Sequence, residues 1–159
     1  MAEVWDAGED RWRLVDAQLD AVWRSRIGFR GDPLDVERDS FLVAADAWMH
    51  CRAGDEEPAR FGISFADLYG LWFVAGNLIR DLAALNKMEM LPWDTWAAHP
   101  APGEPIADDQ LAFFDQLAAV TSDPDSHLDE LRRLYESHDR LQVPAEVFNA
   151  LRQRHEAVA

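Results

Sequence analysis

The stretch FADLYGLWFVAGNLIRDLAALNK, Phe65–Lys87, decides how the rest of the chain is read. Leu68, Leu71, Trp72, Ala75, Leu78, Ile79, Leu82 and Leu85 recur at spacings of three and four, which is the mark of an apolar helical stripe. The stripe predicts a helix over 66–86. Gly70 and Gly76 lie inside it and weaken it intrinsically, so their presence points to close packing against a neighbour. Asn86 marks the expected helix end, where asparagine tolerates a left-handed backbone. Opposite the stripe lie Asn77, Arg80, Asp81 and Ala84, flanked by Phe73 and Met88.

On either side the period changes. DSFLVAADAWMHCRAG predicts a helix over 40–53, with Asp39 as its cap and Gly54 as its stop. MLPWDTWAAH reads as a short helix starting at Pro92, and PAPGEPIA as a loop. Amphipathic patterns predict three more helices over 108–121, 127–137 and 144–156. The N-terminus differs. AEVWD and RWRLVDAQ are rich in strand formers, and DAGED between them offers a turn. Alternation puts Trp12, Leu14 and Asp16 on one face, expected to point inward. The segment after this hairpin, up to Asp39, reads as loop with one helical turn. The fold class is mainly α (α+β). A short N-terminal antiparallel β-hairpin precedes about six helices packed as an irregular helical domain. The chain is expected to be one domain over 1–159, with the hairpin at 1–20 and the helical region at 33–159.

Bulk composition narrows the function. The chain has 159 residues, enough for one domain, and is 48% hydrophobic with seven Trp and eight Phe. Thirty acidic and fifteen basic residues give a net charge of −15, which repels phosphate backbones and anionic membranes. Neither nucleic acid nor membrane is an expected partner. The N-terminal MAEVWDAGED is acidic and holds no apolar signal core, so a cytoplasmic protein is expected. The single cysteine, Cys51, excludes an internal disulfide and a cysteine-cluster zinc site. No cofactor is implied.

RWRLVDAQLD, FLVAADAWMHCRAG, GLWFVAGNLIRDLAALNKMEMLPWDTW and the acidic C-terminal helices together resemble the C-terminal half of bacterial transglutaminase-like superfamily proteins, which have a papain-like fold. The resemblance covers nearly the whole chain. It implies a nucleophilic cysteine, a histidine and an aspartate, in which the cysteine attacks an acyl group. Asp16 sits where the family has its aspartate. The family's histidine and cysteine would both fall before Met1. The resemblance thus implies a lobe that lacks the nucleophile and base, is inactive alone, and is completed by another chain or by upstream sequence. An open hairpin edge at Val4 and Trp5 would then recruit a second copy or a partner protein.

Cys51 follows His50 directly, and adjacent helix positions do not face one another, so Cys51 is expected to be a small core or boundary residue. Asp123, Asp125 and Asp129 lack the glycine and glutamate of an EF-hand and suit a helix N-terminus. No metal site is expected. The remaining candidate is a polar ligand site on the long helix. It comprises Asn77, Arg80 and Asp81, with Lys87, Glu89, Trp93 and Asp94 close by in sequence. A small-molecule enzyme or ligand-binding protein would use that face, with the two tryptophans of NKMEMLPWDTW as an aromatic wall. The plainer alternative is favoured: Arg80 and Asp81 pair with loop residues of DPLD or LNKMEM and hold helices together.

Overall fold

The computed structural model describes residues 2–38, 41–64 and 67–158. They divide into two compact units, Met1–Val43 and Ala44–Ala159. In the first unit β1 (Ala2–Asp6) pairs antiparallel with β2 (Arg11–Val15), with Trp5 opposite Trp12. This is the expected hairpin. The expected helical turn is α1 (Ala21–Ile27). Asp20 caps it by accepting from the Trp23 N–H, and Gly28 ends it at φ 73°. Leu14, Leu19 and Val36 form the buried centre, with Phe29, Phe41 and Val43 packed on it. Val36 donates its backbone N–H to Leu14 and so covers part of the outer side of β2.

The second unit is built around α3 (Leu71–Leu85). Nine of its fifteen residues are buried, among them Leu78, Ile79 and Leu82. A helix apolar nearly all round is a central one. It packs against α2 (Ala44–Ala53), α4 (Asp108–Thr121) and α5 (Pro124–Ser137). Trp48 of α2 lies against Phe114 of α4, with centroids 5.3 Å apart. Gly54 closes α2 at φ 81°, while the expected cap Asp39 lies outside the described residues. Asp123 caps α5 through the Ser126 N–H.

Several expectations are corrected. The long helix starts at Leu71 rather than 66, because the residues before it form a small hairpin of β3 (Gly62–Ile63) and β4 (Leu68–Tyr69). At Gly62, φ is 127° and any Cβ would meet the Leu68 carbonyl at 2.2 Å, so only glycine fits. The helix does end at Asn86, but the left-handed residue is Lys87 at φ 67°. MLPWDTWAAH is not helical and contributes β5 (Asp94–Thr95). PAEVFNALRQRH is also not a helix. It forms β6 (Glu146–Asn149) and leads into β7 (Arg154–Ala157), giving an antiparallel sheet ordered β5-β6-β7. The described residues thus hold five α-helices instead of about six, in an α+β arrangement with the N-terminal hairpin present.

Candidate functional site

α3 presents Arg80 toward β5, where its guanidinium is fixed by two hydrogen bonds. Nε donates to the Asp94 carbonyl at 3.2 Å, and Nη1 donates to Asn77 Oδ1 at 2.7 Å. Both acceptors are uncharged. Burial lowers the Arg80 pKa to about 10, and the opposing charges of Asp81 and Asp94 offset only part of that. Asp94 is buried too, and its side chain is held by the Leu91 N–H. Arg80 therefore does not make the loop pairing expected of it. Its partners lie on its own helix and on β5.

Beside this arginine is a pocket of about 380 Å³ between α3 and the β5-β6-β7 sheet. Trp72 and Phe73 of α3, Trp93, and Phe148 of β6 supply aromatic walls. Arg80 is the single charged side chain among its described lining residues. The guanidinium also lies 5.7 Å from the Phe73 ring centroid, over its face. Thr95 supplies a hydroxyl, but that hydroxyl donates to the Phe148 carbonyl at 3.3 Å. Trp93 is anchored through its carbonyl, which accepts from Ala150 at 2.8 Å. The fully buried Asn149 braces the sheet. It donates to Glu156 and accepts from the Arg152 N–H, closing the β6–β7 turn.

On the same helix, His99 lies over Gly76. A Cβ at Gly76 would stand 3.1 Å from His99 Cδ2 and 3.3 Å from Arg80 Nη1. This is the close packing that a glycine within the helix suggests. Nδ1 of His99 accepts from the Trp96 N–H at 3.2 Å, so the neutral ring carries its proton on Nε2. That Nε2 is shielded, and the ring makes a backbone contact with Gly76. Burial, and then the charge of Arg80, push the imidazole down to about 3.

The site expected from sequence is thus brought together in part. Arg80 and Trp93 line the pocket, Asn77 and the Asp94 carbonyl hold Arg80, and Asp81 acts on Arg80 through its charge. Lys87 and Glu89 are exposed and do not line it. Phe148, Gln153 and His99 were missed. The first two belong to a segment read as helix, and a lone histidine beside Pro100 carries no motif. Asp16 follows β2 in a local turn, where its carboxylate accepts from the Gln18 N–H at 2.9 Å and its own N–H donates to Pro33. Arg24 donates to the Gly31 carbonyl and Arg26 stacks on Trp23. Cys51 is half-buried, and burial followed by the charges of Glu56 and Glu57 raises its thiol pKa, the opposite of an activated nucleophile. His50 faces Asp55 at 3.7 Å instead. Among the described residues no group of three His, Cys, Asp or Glu side chains is placed to hold a metal ion, and no helix is long and apolar enough to cross a membrane.

Compared with family models, with curated proteins and with solved structures, the chain has no significant match in any of the three. The transglutaminase-like resemblance therefore stands on the residues quoted for it alone.

Proposed function

We propose that the chain is a small-molecule binding protein whose site is the aromatic pocket beside Arg80. The observation that carries this reading is a concave, mostly apolar pocket with one fixed polar group at its edge. Ligand sites typically have this composition, and volumes of roughly 300–1,000 Å³. Binding is favoured over catalysis because the lining offers no activated nucleophile: its threonine hydroxyl is already committed to a carbonyl. Calorimetric titration with naphthalene derivatives, both neutral and acidic, tests the reading. Saturable binding that is weakened by Trp93→Ala is the expected result. Absence of saturable heat from every derivative up to millimolar concentration would overturn it.

A second reading, a transglutaminase-like lobe completed by another chain, is supported by the hairpin and by the position of Asp16 at the exit of β2. It expects no amide or ester turnover by the purified chain alone. Turnover that Cys51→Ala abolished would refute it.

A further inference from the structure

We infer that the pocket selects a monoanionic aromatic carboxylate, whose acid group pairs with Arg80. This rests on the small-molecule reading above and names the ligand class for that site. The arginine fork has a fixed orientation. Nε and Nη1 are committed to Asp94 and Asn77, so the guanidinium does not need to reorganise to meet a ligand. The two hydrogen bonds described for Arg80 use Nε and Nη1, and the side chain lines the pocket.

The charge environment sets the class. A desolvated cation with uncharged hydrogen-bond acceptors gains more from an ionised acceptor than from a neutral one. The walls carry no second cation, and Asp81 and Asp94 act on the same guanidinium. A dianion such as a phosphate monoester would meet more of their repulsion than a carboxylate, which brings a single charge. The body attached to it must be flat and apolar, because Trp72, Trp93 and Phe148 are what it would touch.

The test compares 2-naphthoate, neutral 2-naphthamide and 2-naphthyl phosphate by calorimetry on the full chain. The expected order is naphthoate about tenfold tighter than the amide, the size of one charge-assisted hydrogen bond, with the phosphate weaker than the carboxylate. Arg80→Met should remove the difference between acid and amide while leaving amide binding in place. Equal binding of acid and amide by the unaltered protein would overturn the carboxylate assignment and leave the pocket reading standing. Tighter binding of the phosphate would overturn the single-charge argument. If no probe binds, both readings fail together. Should Arg80→Met not fold, as circular dichroism would reveal, the acid-to-amide ratio of the unaltered protein decides. Arg80→Lys, which keeps the charge but not the fork, then serves as the second variant and should lower that ratio.

Discussion

In the unit Met1–Val43 the buried apolar side chains among the described residues are Leu14, Leu19 and Val36, and charge pairs dress the hairpin around them. Arg11 bridges Glu9 and Asp35, Arg13 bridges Asp6 and Glu9, and Arg38 meets Glu3. In the unit Ala44–Ala159, α3 instead buries Leu78, Ile79 and Leu82 completely, against three other helices. A unit of about 40 residues buries too little surface to be robust by packing alone. Exposed ion pairs add little and are screened by salt. The smaller unit is organised by local devices, namely a turn, a cap and charge pairs, whereas the larger one is organised by a helix that only neighbours can satisfy.

The sharpest test of that difference is truncation in the two cores. Leu82→Ala should cost about 2–5 kcal/mol, the usual range for a fully buried leucine. Leu14→Ala should fall at the low end of that range, about 2 kcal/mol, because its site has few buried neighbours to leave a cavity among. Urea unfolding followed by tryptophan fluorescence measures both. Equal costs would erase the distinction between the units.

Acid separates them next. His99 has a folded pKa near 3 against an unfolded value near 6.5. The unfolded chain binds the extra proton between those values, so the stability held by neutral His99 is full above about pH 6.5 and is lost as pH falls toward about 3. Asp6 and Asp35 in the first unit have lowered pKa values, Asp6 mainly through backbone N–H groups and Asp35 through Arg11. Their contribution is full above the ordinary carboxylate pKa and fades only below about pH 4. The C-terminal unit should therefore begin to weaken at higher pH, and His99→Phe should flatten its profile between pH 6.5 and 4. Denaturant midpoints across that range, with the two units followed by residue-resolved hydrogen exchange, check this. A profile unchanged by the substitution would contradict the buried neutral imidazole.

Two smaller effects refine the comparison. Gly76→Ala should destabilise by about 1–3 kcal/mol, because the new methyl meets His99 and Arg80. In an open helix the same change stabilises by about 0.5–1 kcal/mol, so the sign alone is informative. A raised melting temperature would mean that His99 can move aside. Asp20→Ala removes the cap of α1 and should cost about 1 kcal/mol, within the first unit. Loss of protection confined to α1 in hydrogen exchange is the expected signature.

The amphipathic helices were legible because their burial follows a local period. α2, α4 and α5 appear where 3.6-residue spacing puts them, and the N-terminal hairpin appears where alternation and the turn at Gly8 put it. The segments around Pro92 and from Pro144 are not helices, although their sequences suit one. Val147, Phe148 and Leu151 suit one side of a helix as well as they suit a strand. Pairing with Asp94 and Thr95 on one side and with Arg154–Ala157 on the other decides for strand, and those partners are distant in sequence or follow a turn. Asn149 then finds its hydrogen bonds in Glu156 and Arg152, which no window centred on it reveals as its purpose.

By itself the sequence determined that helices dominate, that a hairpin opens the chain, and that Asn77 and Arg80 share a helical face three residues apart, since each follows from nearest-neighbour geometry along one element. Only the tertiary structure decided that Arg80 on this face is buried rather than solvated, that Phe148 joins Trp93 across a sheet to make an aromatic pocket, and that His99 covers Gly76. The physical reason is range. Period and capping act over a few residues. Burial of a guanidinium, and the shift it causes, depends on surfaces contributed by residues up to about 70 positions away, and these are brought together by the hydrophobic burial of α3 rather than by any local preference.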